Sequence, residues 1–346
     1  MATKTDSPGD GLVFTSDDQP GITRVKRGRG FSYHLPDGSL LKDRAMLDRI
    51  RALAIPPAYV DVWICRKANG HLQATGRDAR GRKQYRYHAD FRAAQDTAKF
   101  SRLIGFGEQL PLIRERIDSA MRLRGNQLER VCATIIHLLD STAIRIGNPA
   151  YAADNGSFGL TTLRRRHVKL DSSRIRFRFS GKSGRKWDLS VDNRRVARVI
   201  RSLQELPGQE LFRYVDGDAV KPVHSEDING YLREISGGEF SAKDFRTWHG
   251  TVLAAVSLAQ LRQSDPEMKP DAAIRTAVAE VAAILHNTPT VCRQSYVHPA
   301  LLEAYHDAHP LFAKMVLPHQ PVTGPPHFAA AERDVLAFMK KVAAKD

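Results

Sequence analysis

The chain has 346 residues, 42% of them hydrophobic and 26% charged, which is ordinary globular material with length for about one to three domains. Its 53 Lys and Arg outnumber 38 Asp and Glu, giving +15 and a pI near 9.9, so the expected partner is a polyanion, nucleic acid before anionic membrane. No apolar run approaches the roughly 18–20 residues of a membrane helix, MATKTDSPGDG lacks a secretory pattern, and the isolated Cys65, Cys132 and Cys292 suggest buried thiols in a cytoplasmic protein.

Residues 1–20 are polar and predict a disordered tail. Residues 21–89 predict a small α+β domain. In it, FSYHLPDGSLL reads as two short strands around a Pro-Asp-Gly turn, and DRAMLDRIRALAI as a helix stopped by Pro56-Pro57. YVDVWICRKANGHLQATGRD reads as a hairpin, with Val60, Val62 and Ile64 alternating and Asn69-Gly70 turning. Residues 90–317 predict a mainly helical domain. Leu128, Val131, Cys132, Ile135, Leu138 and Leu139 recur at helical spacing, with an end expected near Gly147-Asn148-Pro149. One β interruption follows: RIRFRFSGKSGRKWDLSV alternates Ile175, Phe177 and Phe179 against Arg174, Arg176 and Arg178 and turns at KSG. Residues 318–346 predict a linker and a last short helix.

Basic segments carry the first functional signal. GRDARGRKQYRYH, residues 76–88, interleaves five basic residues with two tyrosines, a pattern suited to phosphates and sugars as well as to a solvated loop. Residues 164–186 hold ten Lys and Arg, read as a DNA-facing surface in preference to a charged sheet edge. GKS at 181–183 ends like a phosphate-binding loop, but position 176 is Arg where that motif needs Gly, and a strand follows instead of a helix, so nucleotide binding is rejected. Lys182 is then a lysine at a hairpin tip. In SAKDFRTWHGT, Ser241 and Asp244 fit a capping box, which puts Arg246 in a first helical turn beside His249. Taken alone, Tyr296 in LHNTPTVCRQSYVHP is a packing residue, because a phenol is a poor nucleophile unless cations stabilise its phenolate.

Together, PPAYVDVWIC, GRDARGRKQYRYH, IRIGNPAYAADNGSFGLTTLRRRHV, SGKSGR, KDFRTWHGT and NTPTVCRQSYVHP occur in one order. In that order they resemble the poxvirus-like type IB DNA topoisomerases of bacteria, over roughly residues 21–317. The resemblance implies an α+β protein whose helical catalytic domain, of the type shared with tyrosine recombinases, clamps DNA together with the small N-terminal domain. It implies Tyr296 as nucleophile, with Arg145, Lys182, Arg246 and Asn287 as its catalytic partners. It implies DNA contacts from Gln84, Tyr85 and Tyr87. Arg77, Arg80, Arg82, Lys83, Tyr151, Arg164, Arg165 and Lys243 are added as further DNA-contact candidates. The expected partner is double-stranded DNA, bound by a cytoplasmic, nucleoid-associated monomer, with no cofactor or metal and no ATP. Two readings compete: a tyrosine recombinase, which typically has His-x-x-Arg where this chain has Lys243 before Arg246, and a non-enzymatic basic DNA-binding protein. Bacterial relatives often have glycine where this chain has His286; that histidine is expected not to be catalytic.

Overall fold

The computed structural model describes residues 11–315, 317 and 329–344. Two compact units divide at Lys99 and Phe100, ten residues beyond the expected boundary. The division falls inside a helix, where composition gives no signal.

The first unit is built on a five-stranded antiparallel sheet. Its strands are β1 (Ile22–Arg27), β2 (Gly30–His34), β3 (Val60–Ile64), β4 (Leu72–Arg77) and β5 (Lys83–Tyr87), in the order β2-β1-β3-β4-β5. Helix α1 (Arg44–Ala52), capped by the Asp43 side chain, supplies Ile50 to a core with Ile22, Val62, Ile64 and Ala74. The β3–β4 hairpin runs as the sequence suggests, but a bulge between Val60 and Trp63 leaves Val60 exposed. FSYHLPDGSLL forms one strand and an isolated bridge instead of two strands, because β2 pairs with the unforeseen β1 across Gly28. The predicted tail also needs correction. Residues 1–10 lie outside the described residues, whereas Val13 pairs with Asn69 and His71, and the Thr15 hydroxyl donates to the Leu72 carbonyl. These bonds fasten the segment to the turn before β4 and to the first residue of that strand.

The division falls within the long α2 (Ala89–Ala120), whose part in the second unit buries Leu103, Phe106, Leu110, Ile113 and Ile117. Then follow α3 (Leu128–Thr142), α4 (Pro149–Asn155), and the sheet of β6 (Val168–Asp171), β7 (Arg174–Ser180) and β8 (Lys186–Asp192) in sequence order. Strand β7 alternates as expected, with Ile175, Phe177 and Phe179 inward and the arginines outward. Next come α5 (Arg194–Glu205), a second hairpin β9 (Arg213–Asp216) and β10 (Ala219–Pro222), and α6 (Ser225–Ser236). That hairpin is too short for an alternating pattern to show. The chain continues with α7 (Ala242–Ser264), α8 (Pro270–Ile284), α9 (Pro289–Ser295), α10 (Pro299–His306), α11 (Leu311–Lys314) and α12 (Ala329–Ala343). Helix α7 is buried at every residue from Asp244 to Ala259, so it forms the axis of the unit. None of the described helices is long and apolar enough to cross a membrane.

A buried ionic hub joins four helices. Arg114 of α2 donates from Nε to Asp140 of α3 at 2.8 Å and from Nη1 and Nη2 to Glu332 of α12 at 2.7 and 2.8 Å. Trp248 Nε1 of α7 donates to the same Glu332 at 3.2 Å, and His249 Nε2 lies 3.3 Å from Asp140. The predicted short last helix is therefore a structural strut, with Glu332 inward. Burial by itself would push the Asp140 carboxyl up, but His249 and Arg114 hold it well below the usual carboxylate range. A depressed folded-state value gives stability that is full above the unfolded aspartate value near 4 and is lost as pH falls through it toward the folded value. Asp140→Asn is expected to cost about 1–3 kcal/mol, since it leaves half-buried Arg114 with Glu332 as its one remaining counter-charge among the described residues. Urea unfolding at several pH values should also show the variant losing less further stability between about pH 5 and 3 than the parent.

Candidate active site

Helix α3 stops at Thr142, five residues before the expected Gly147. Ala143 takes a left-handed conformation (φ 55°), unusual for a residue with a Cβ, and turns the chain out of the helix. Residues 143–148 then run outside any helix or strand. The carbonyls of Arg145 and Ile146 accept from Leu160 and Thr161 at 2.9 and 2.7 Å. Gly159 permits this approach, for a Cβ there would lie 2.5 Å from the Arg145 carbonyl oxygen. The early stop thus places Arg145 on a braced segment instead of a helix face.

Arg246 sits in the first turns of α7, behind the Ser241–Asp244 capping box. It is only 4% exposed. Its Nη1 donates to the Ala143 carbonyl and its Nη2 to the Leu285 carbonyl at 2.7 Å, so one guanidinium ties α7 to the ends of α3 and α8. Desolvation first, and Arg145 second, push it down to about 10.

Beyond α8 the chain reverses at His286, also left-handed (φ 49°), and Asn287 N–H closes the turn onto the Ala282 carbonyl at 2.8 Å. Glycine suits such a position without strain. The His286 ring stacks on Trp187 with centroids 4.0 Å apart, against β8. Asn287 Oδ1 accepts from Arg145 Nη2 at 2.5 Å. Helix α9, capped by Thr288, ends at Tyr296. The Arg246 guanidinium lies 5.1 Å from the Tyr296 ring centre. Burial alone would raise the phenol, but Arg246, Arg145 and Lys182 pull it below the ordinary tyrosine value. Lys182 stands exposed at the tip between β7 and β8, where Ser183 (φ 63°) and Gly184 (φ 74°) make the turn. Arg145, Lys182, Arg246, Asn287 and Tyr296 are thus brought to one place from five separate segments.

Two features favour an anion there. Among the described residues no carboxylate pairs with Arg145, Lys182 or Arg246. In addition, Arg246 Nε and Asn287 Nδ2 are buried donors with no protein acceptor. Such an arrangement suits a tetrahedral or trigonal-bipyramidal oxyanion beside the phenol. Sequence reasoning missed Gly250, where a Cβ would lie 2.5 Å from the Tyr296 carbonyl oxygen. Its place on α7, four residues after Arg246, was a readable signal for close backbone approach.

The other predicted DNA-facing residues are more scattered. In the first unit Tyr85 and Tyr87 are exposed and stacked (centroids 6.1 Å, planes 12° apart), and Arg77 and Arg80 are exposed. Lys83, however, pairs with Asp17 at 2.5 Å, and Arg82 and Gln84 both bind Asp78. In the second unit Tyr151 and Lys243 are exposed, and Arg164 lies over the Phe158 ring. Arg165 turns inward, with Nε and Nη2 buried and without an acceptor.

The sequence matches two described families: "Eukaryotic DNA topoisomerase I, catalytic core" over residues 88–315 and "Bacterial DNA topoisomerase IB, N-terminal domain" over residues 30–78. It is 33% identical over 298 residues to a DNA topoisomerase 1B of Acanthamoeba polyphaga mimivirus, covering 82% of this chain and 87% of that one. Identity is 21% over 291 residues to the DNA topoisomerase 1B of vaccinia virus (strain Copenhagen), covering 78% and 88%. It is 22% over 293 residues to the DNA topoisomerase 1 of rabbit fibroma virus, covering 80% and 89%. By these matches, and by a tyrosine set among cations at the end of a helical core, the chain belongs to the type IB DNA topoisomerase family.

Proposed function

We propose that the protein relaxes supercoiled duplex DNA by cutting one strand, letting the duplex rotate, and resealing it without ATP or an obligatory metal. One observation carries the assignment of roles: a half-buried phenol beside three cations, Arg145, Lys182 and Arg246, that have no carboxylate partner among the described residues. Tyr296, its proton given up to solvent, attacks a backbone phosphorus as the phenolate, forming a 3′-phosphotyrosyl bond as the P–O bond to the 5′-oxygen breaks. Negative charge gathers on the nonbridging oxygens. Arg145 and Arg246 stabilise it with their fixed forks of donors, and Asn287 adds a neutral one. The 5′-oxygen needs a proton on leaving, and Lys182, on its exposed hairpin tip, supplies it. The 5′-hydroxyl then attacks the phosphotyrosine, returns the proton to Lys182 and frees Tyr296. The phosphoester count is conserved throughout, which is why no nucleotide is consumed. Downstream DNA is held by charge so that rotation is permitted, and Tyr85, Tyr87 and the exposed arginines of the first unit serve that contact. A nucleoid-associated monomer in the cytoplasm is the proposed setting.

Plasmid relaxation in a chelator and without ATP tests the whole reading; Tyr296→Phe should abolish it and leave no covalent protein–DNA adduct after denaturation, and relaxation by that variant sinks the assignment. Lys182→Ala should slow single-turnover cleavage at least about a hundredfold with little change in DNA affinity. A substrate whose 5′ leaving group needs no proton should recover most of that loss; absence of rescue removes Lys182 as the acid. Gly250→Ala adds a helix-favouring methyl but drives it into the Tyr296 backbone. The expected result is slower cleavage, by about tenfold or more, in a protein that still binds DNA.

A further inference from the structure

At the other end of α3 from Arg145, about 20 Å along the helix, lies a cavity of about 570 Å³. Five arginines line it: Arg122 and Arg124 from the turn after α2, Arg130 from the first turns of α3, and Arg195 and Arg198 from α5. Among the described residues one carboxylate answers them, since Asp118 pairs with both Arg122 and Arg195. Arg124 and Arg198 have no ion pair among the described residues, and Arg130 donates from Nη1 to the Gly125 carbonyl at 2.6 Å. Arg130 is 8% exposed, and its Nε is buried without an acceptor. A sequence gains nothing in stability by gathering five like charges around a concavity and burying one of them. The cluster is intelligible as a site that an anion completes.

We infer that this cavity binds a compact chain of linked phosphates, at a site separate from the tyrosine. Its volume lies in the range of small-ligand pockets, and guanidinium forks match phosphate oxygens two at a time. Shape selects against a second duplex. A rigid DNA backbone can touch the rim, where Arg122, Arg124 and Arg198 are exposed, but a convex cylinder cannot bring a phosphate down to the buried Arg130. A flexible chain of two or three phosphates reaches the floor and the rim together. Removal of Arg195 and Arg198 leaves the Tyr296 site intact, because α5 contributes nothing to it.

Calorimetric titration of the full chain with inorganic tripolyphosphate at about 0.15 M salt tests the idea. The expected result is saturable binding that Arg195→Ala with Arg198→Ala weakens about tenfold or more, while plasmid relaxation stays as in the parent. Arg195→Lys with Arg198→Lys, which keeps charge but loses the forks, should fall between the two. Orthophosphate should bind at least about tenfold more weakly than tripolyphosphate. A matched loss of charge on the exposed face of β7, Arg174→Ala with Arg178→Ala, should leave tripolyphosphate affinity within about twofold. Equal weakening by that control pair reduces the effect to net charge and overturns the proposal. So does unchanged tripolyphosphate affinity in the α5 double variant, whether or not that variant loses duplex binding.

Discussion

The buried guanidinium of Arg246 is the constraint on which the rest of the site depends. It joins three segments at the points where they carry the site: the first turns of α7, the left-handed exit from α3 at Ala143, and the end of α8 at Leu285. A charge buried this far is costly, and two backbone carbonyls offset part of that cost. Those carbonyls are available because both helices end there; inside a helix each would already be engaged. The early stop of α3 and the turn at His286 are therefore conditions for placing Arg246, and Arg246 in turn fixes where the two loops carrying Arg145 and Asn287 can lie.

The same guanidinium sets the chemistry of Tyr296. Desolvation works against a phenolate, so a buried tyrosine ordinarily becomes a weaker acid. Here the cations win, because Arg246 lies against the ring and Arg145 and Lys182 add their fields in a medium that screens poorly. The hub of Arg114, Asp140 and Glu332 supports this from behind. It anchors α7 at Trp248 and His249, one turn beyond Arg246, and anchors α3 just before its exit. Helix α12, outside the segment matched to the catalytic-core family, thereby takes part in holding the floor of the site.

Much of this was legible in the sequence, and what was not has specific causes. Periodicity marked α3 and β7 because their apolar residues are long-range core members. The capping box at Ser241 and the hairpin turn at Lys182 follow local rules and were placed correctly. The α3 exit was placed five residues late because its left-handed residue is alanine, whereas the sequence offers a glycine and a proline further on. Glu332 gave no signal: a single acid in a short terminal helix reads as surface until Arg114, more than two hundred residues earlier, is seen beside it. Arg165 sat in a basic run that looked solvent-facing, yet two of its three guanidinium nitrogens are buried. Local grammar records turns and caps; pairings distant in sequence leave no mark in one chain.

Asn287 shows why a neutral residue suits a site crowded with cations. Its amide has two ends with opposite roles. Oδ1 accepts from Arg145, which fixes the side chain and leaves Nδ2 as the donor, buried and without a protein partner. A second cation at that position would repel Arg145, Arg246 and Arg185, the same neighbours that, after burial, hold the adjacent His286 below its ordinary value. His286 is thus disfavoured as a charged donor, and its ring is engaged by Trp187. An amide avoids the repulsion, orients Arg145, and still offers a hydrogen bond to a phosphate oxygen. In the proposed chemistry the site needs donors whose strength grows as charge develops on phosphorus, and one neutral donor locked by a charged neighbour meets that need without raising the cost of the unliganded site.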